Sequence, residues 1–166
     1  MNYSNENIRR QDRLLEEEKA VALLTNGEYG ILSLQAEEGG GYGIPINFVW
    51  DGATSIYLHC APEGRKLECI RKEPKISFCI VGNTHVVSNK FTTLYESLIL
   101  NGEAYIGLSS EERLKALTLL IDKYAPNDKV IGLKYTEKSF HRTDVIRLDI
   151  NQWSGKSKKI AVLHPL

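Results

Sequence analysis

The stretch HCAPEGRKLECIRKEP, from His59 to Pro74, gathers a histidine, a glycine turn and paired cations where an extended segment gives way to a helix. The chain turns through Pro62 and Gly64, and the helix starts near Arg65. A helix N-terminus presents unpaired N–H groups and the positive end of the peptide dipoles. Gly64 permits close backbone approach, Arg65 can clasp a phosphate bidentately and Lys66 adds a point charge. That collection suits a terminal phosphate dianion. Taken alone, the stretch reads first as a surface turn with two solvated cations. Cations there oppose the dipole, however, and the opposition hints that an anion belongs beside them.

Other chemical motifs fall away. GGGYG at Gly39–Gly43 leads into a strand and follows Glu37-Glu38, whereas a dinucleotide fingerprint needs its glycines between a strand and a helix. It reads as a hairpin turn. There is no GxxxxGK[ST] and no GxSxG. His59, His85, His141 and His164, with Cys60, Cys69 and Cys79, lack zinc-ligand spacing, so no metal site is expected. Cys69 and Cys79 read as small buried hydrophobes.

Composition sets the bounds. A chain of 166 residues, 42% hydrophobic, fits one compact domain with a sizeable core. Lys plus Arg equals Asp plus Glu at 21 each, so no overall field draws the protein to nucleic acid or anionic lipid. Any anion site must be local. Three cysteines without a CxxC pair argue against a disulfide framework and suit a reducing cytoplasm. The N-terminus resembles no secretory signal, and no apolar run is long enough to span a bilayer.

These residues need a scaffold. The first residues, about 1–11, are polar and expected to be flexible. From Asp12, Leu14, Leu15, Val21, Leu23 and Leu24 fall at loose helical spacing until Asn26-Gly27. YGILSLQ (29–35) and YGIPINFVW (42–50) predict a hairpin, and SIYLHC (55–60) extends it to a meander. A short helix carries Leu67 and Ile70 and stops before Pro74. KISFCIV (75–81) and YESLILNGEAYIG (95–107) are further strands, separated by GNTHVVSNKFTTL, which reads as a long polar loop. Ser109 and Glu112 form a capping box for a helix striped by Leu114, Leu117, Leu120, Ile121 and Tyr124. After Ala125-Pro126 the chain is read as strands, DVIRLDI (144–150) and KKIAVL. The sum is a mainly β chain, an antiparallel barrel with a few helices packed outside.

The order GIPINFVWDGATSIYLHCAPEGRKLECIRKEPKISFCIV resembles the flavin-binding half of the pyridoxamine 5′-phosphate oxidase-like split-barrel family. Within it the chain is most similar to the nitroimidazole-resistance (Nim-type) branch. The shared features are a Pro-x-Asn-Phe strand, a strand ending in His, an Ala-x-x-Gly-Arg-Lys turn and a helix closed by proline. The resemblance spans roughly 24–124, with WSGKSKK a weaker echo.

The resemblance implies FMN in a cleft between the subunits of a homodimer. Arg65 and Lys66 would take its phosphate, with Gly64 letting the chain pass close. Pro45, Ile46 and Asn47 would lie along the isoalloxazine edge, and His59 and Ala61 near the ring or ribityl chain. Ser97 falls where the family has a polar residue near the phosphate or ribityl, and Trp153 and Lys156 would reach across from the partner subunit. The implied activity is transfer of two electrons from reduced FMN to a nitroaromatic such as a 5-nitroimidazole. His59 would then orient the substrate or donate a proton. Two alternatives stay open: a non-catalytic flavin- or haem-binding module with His59, His85 or His141 as axial ligand, and a plain dimeric interaction domain.

Overall fold

A computed structural model describes residues 1–159. Eight strands join one sheet: β1 (Asn2–Tyr3), β2 (Tyr29–Gln35), β3 (Gly41–Asn47), β4 (Val49–Trp50), β5 (Ser55–Cys60), β6 (Lys75–Val87), β7 (Thr92–Tyr105) and β8 (Asp144–Lys158). Four α-helices pack around it: α1 (Glu17–Asn26), α2 (Arg65–Lys72), α3 (Ser110–Tyr124) and α4 (Lys129–Ser139). The strand order is β3-β2-β6-β7-β8-β5-β4, antiparallel throughout, with β1 added parallel to β8. β3 and β4, at opposite ends of that order, are separated in sequence only by Phe48. One chain segment therefore closes the sheet into a split barrel: the strand pattern leads to the antiparallel barrel, and the resemblance implies its split form. Among the described residues no helix is long and apolar enough to cross a membrane.

The barrel closes around alternating side chains. Leu32, Phe48, Leu58, Phe78, Ile80, Leu98, Leu100, Ile146 and Leu148 are fully buried inside it. Phe48 meets Phe78 edge to face, ring centres 5.2 Å apart. A second cluster joins Val49, Tyr57 and Val145, on the outer face, to Ala116, Leu117 and Leu120 of α3. Where β8 bulges at Asn151, Gly102 of β7 comes so close to β8 that a Cβ would lie 1.9 Å from the Asp149 carbonyl oxygen. Only glycine fits there.

Several expectations need correction. The first residues are tied down: Asn2 and Tyr3 pair with Gln152 and Trp153, and the Tyr3 hydroxyl donates to the Leu15 carbonyl at 2.5 Å. Leu14 and Leu15 precede α1, and Leu15 N–H donates to Gly155 O. The predicted 42–50 strand breaks at Phe48. The predicted 82–94 loop is mostly a β-hairpin arm, with a 3-10 turn at Ser88–Lys90. Ladder hydrogen bonds hold this polar segment, which has no apolar alternation to announce it. α4 has no counterpart among the expected elements, where only strands follow Ala125-Pro126: it buries polar Thr136 and Ser139 and leaves Val130, Ile131 and Tyr135 exposed, so no apolar stripe marks its packed face. Half of the capping box forms, with Ser109 Oγ accepting from Glu112 N–H at 3.2 Å. The Glu112 carboxylate turns instead to Tyr57 Oη, 3.1 Å, and Arg147 Nη1, 2.7 Å. DVIRLDI continues to Lys158, and most of KKIAVL, like His164, lies outside the described residues.

Candidate functional site: the barrel seam and the start of helix α2

The seam has two unpaired edges. Among the described residues β3 pairs with β2 along Gly41–Asn47 and with no strand on its other side. β5 pairs with β4 only at Ile56 and Tyr57, so Leu58–Cys60 also lack a neighbour on that side. Chain continuity through Phe48 turns these edges toward one another. Alternation then decides what each side chain does. Tyr42, Ile44 and Ile46 turn in, half-buried against the core, while Pro45 and Asn47 are exposed. Pro45 sits on an edge strand, where its missing N–H costs no ladder bond.

The break at Phe48 would orphan backbone groups, and two α3 residues satisfy them. Phe48 N–H donates to Tyr124 Oη at 3.1 Å, and Phe48 O accepts from Lys123 Nζ at 3.0 Å. Tyr124 Oη also lies 2.7 Å from Phe48 O and 2.6 Å from Glu28 O; its single proton serves one of the two. Asn47 Nδ2 donates to the same Glu28 carbonyl at 2.9 Å. Lys123 Nζ sits 3.9 Å from the Phe48 ring centre, and burial pulls its pKa down to about 8.

Helix α2 starts without a side-chain cap. Gly64 occupies the N-cap position at φ 126°, a conformation that favours glycine. Leu67 N–H donates to Gly64 O at 2.9 Å. The N–H groups of Arg65 and Lys66 have no acceptor among the described residues. Ala61, Gly64 and Arg65 are exposed, and Lys66 is half-buried. Arg65 Nη2 pairs with Glu38 on the β2–β3 turn, and its guanidinium lies 4.3 Å over the Tyr42 ring.

His59 is the penultimate residue of β5, on the outer side and opposite Val145. Although its edge is exposed, partial burial and then the Lys66 charge hold its pKa below the ordinary range. The imidazole is neutral near pH 7. Burial pushes the neighbouring Cys60 thiol up to about 11, against the pull of Lys66 and with a push from Asp144. Cys60 is not a thiolate nucleophile.

His59, Ala61, Gly64, Arg65 and Lys66 follow one another along the β5 side of the seam into α2, and Arg65 reaches β3 through Tyr42. Pro45, Ile46 and Asn47 follow along the β3 edge. Ser97 and Lys156 pair with each other across β7 and β8. With β2 and β6 between, Ser97 stands three strand spacings from β3, about 14 Å. Trp153, expected to reach across to a partner, is 1% exposed inside its own barrel, edge-on to Tyr3 with ring centres 4.7 Å apart. It has no surface to offer a ligand. Sequence reasoning missed Tyr42 and Glu38 as partners of Arg65, and Lys123 as a pin. Alternation on β3 marks Tyr42 as inward-facing, but nothing in the sequence signals Lys123.

The family model for pyridoxamine 5′-phosphate oxidase matches residues 16–157. The chain belongs to that family. No curated protein sequence matches it. Among solved structures it is similar to a proposed 5-nitroimidazole antibiotic resistance protein from Bacteroides thetaiotaomicron, with TM-score 0.74 and 19% identity over 87% of this chain and 86% of that one. It is also similar to an FAD- and heme-binding protein from Mycobacterium smegmatis, with TM-score 0.69 and 17% identity over 90% and 75%. The heme storage protein HutZ from Vibrio cholerae shares the fold at TM-score 0.64 and 13% identity over 84% and 94%.

Proposed function

We propose that the chain is an FMN-dependent oxidoreductase of the Nim-type branch, working as a homodimer and reducing a small nitroaromatic such as a 5-nitroimidazole. The observation that carries this reading is the uncapped start of α2, with Gly64, Arg65 and Lys66, at the end of the unpaired β3 edge. Donor chemistry fits a phosphorylated flavin: free N–H groups and two cations stand at one end, and a strand edge bearing Pro45, Ile46 and Asn47 at the other. Five strand steps separate Tyr42 from Asn47, about 17 Å, which suits an extended ligand.

Bound FMN would supply the two-electron chemistry, while the protein holds and orients it. Arg65 and Lys66 take the phosphate by charge-assisted hydrogen bonds, which requires Arg65 to share or leave Glu38. Both members of that pair are half-exposed or more, so it opposes the exchange only weakly. Asn47 is already turned toward Glu28 O, so it meets the ring edge with its carbonyl oxygen or its second N–H. His59, neutral at pH 7, orients the substrate by hydrogen bonding more effectively than it donates a proton. Ser97 and Lys156 belong to the β7–β8 face and meet a flavin only when a second copy brings that face to the seam.

A haem-binding reading rests on the same histidine, since a neutral imidazole is the form that ligates iron. A visible spectrum of the purified protein separates the two. Flavin bands support the proposal; a Soret band without them replaces it; a colourless protein that takes up neither cofactor leaves a plain interaction domain.

A further inference from the structure

A groove of about 680 Å³ lies between α1 and the root of the β6–β7 arm, within the usual size range of ligand sites. Its position follows from an irregularity in the sheet. The β6–β7 register shifts between Val81 and Thr84, leaving Gly82 and Asn83 outside the paired register, and both line the groove. Tyr29, 54% exposed, forms part of the floor. The same ring lines a neighbouring cavity of about 410 Å³ with Pro45, Ile46 and Asn47, the edge assigned to the flavin. Tyr29 and Asn47 are cross-strand partners, and Asn47 donates to the carbonyl of Glu28, another groove residue.

We propose that this groove is the substrate subsite and that it takes a small planar heteroaromatic carrying no phosphate. The proposal rests on the flavin reading for the neighbouring cavity. Tyr29 offers a stacking face, and the Asn26 and Asn83 amides with the bulge backbone offer donors and acceptors to ring substituents. Charge selects against phosphate. Among the described residues the lining holds one cation, Lys19, which is paired with Glu16, while Glu28 and Glu96 contribute carboxylates. Lys159 approaches Glu96 at 3.7 Å, so it too has an acidic neighbour. A dianionic substrate such as pyridoxamine 5′-phosphate meets no free cation among the described residues here, whereas a neutral nitroimidazole meets no penalty.

Ala22 is exposed on α1, lines the groove and is absent from the neighbouring cavity, so Ala22→Phe fills the groove without touching the flavin edge. The test is calorimetric titration of the oxidised FMN-loaded protein with a 5-nitroimidazole and with pyridoxamine 5′-phosphate. Nitroimidazole affinity should fall at least ~10-fold in Ala22→Phe, the scale of an overpacked site. FMN affinity should stay within ~2-fold, as for independent sites. Glu96→Gln should raise pyridoxamine 5′-phosphate affinity by about threefold, the size of an exposed charge interaction. Unchanged nitroimidazole binding in Ala22→Phe overturns the proposal, as does wild-type protein that binds both compounds equally in the groove. If the protein takes up no FMN, the flavin reading fails by itself. The same titration on apoprotein then judges the groove: binding lost in Ala22→Phe supports it, and binding unchanged overturns it.

Discussion

The Arg65 guanidinium carbon stands 4.3 Å above the centre of the Tyr42 ring, locking the start of α2 onto β3. A cation over an exposed aromatic face contributes about 0.5–1 kcal/mol. That contact lets one short turn and one strand edge act as a single site. Glu38 pairs with Nη2, so under the proposed reading it would compete with a phosphate for the same group.

Glu38→Gln should therefore strengthen FMN binding. The pair is exposed, so the gain is small, about two- to fivefold. Riboflavin affinity should not move, because riboflavin has no phosphate to claim Arg65. Fluorescence titration of apoprotein reads both. A loss of FMN affinity would make Glu38 a support for the site, contrary to its role as competitor.

His59→Ala should keep FMN bound and slow nitroreduction by ~10²-fold, the low end for a lost acid–base or orienting group. The wild-type rate should fall as pH drops below the ordinary histidine value of 6.5 and His59 takes up its proton at a depressed pKa. The variant should lack that limb. Stability follows the same sign. Between the depressed pKa and 6.5 the unfolded chain binds more protons, so the His59 contribution is lost as pH falls. Full turnover by the variant would leave His59 a strand-end residue only.

Lys123 carries a desolvation cost when charged, its pKa lying at about 8 against an ordinary 10.5. Across that interval the unfolded chain binds more protons, so stability should rise with pH. The neutral amine still donates to Phe48 O. Thermal melts at several pH values across that interval should show this rise in the wild type and a smaller rise in Lys123→Met. Parallel curves would mean that Lys123 titrates as an ordinary surface amine.

A homodimer is expected from the uncovered apolar groups on the outer sheet and the arm. Val86 and Ile99 are 69% and 39% exposed, and Phe91 at the arm tip is 98% exposed at φ 47°. Light scattering at micromolar concentration should give twice the chain mass. A monomer at every concentration would contradict it.

The parts of the fold readable from sequence are those where local chemistry and burial agree. Gly64 before Arg65 marked the start of α2, and Val145, Arg147 and Asp149 alternating with Ile146, Leu148 and Ile150 marked β8. The break at Phe48 was not readable, because its backbone groups are satisfied by Lys123 and Tyr124 from the far end of α3. α4 hid for a different reason: it leaves Val130, Ile131 and Tyr135 exposed and buries polar Thr136 and Ser139. Trp153 illustrates how a residue carried over by resemblance can be claimed by the core, since β1 packs Tyr3 against it.

The central claim is that the start of α2 seats a flavin phosphate, and flavin discrimination tests it most directly. Apoprotein should be titrated with FMN and riboflavin, for wild type and Arg65→Ala, following flavin fluorescence. A charge-assisted hydrogen bond contributes roughly 1.5–3 kcal/mol, so wild type should prefer FMN by well over tenfold. Arg65→Ala should lose much of that preference while riboflavin affinity stays nearly constant, because the Asn47 edge is untouched. Folding should survive, since Arg65 is exposed. If Arg65→Ala weakens both flavins equally, or neither, the turn holds two solvated cations and the phosphate site lies elsewhere.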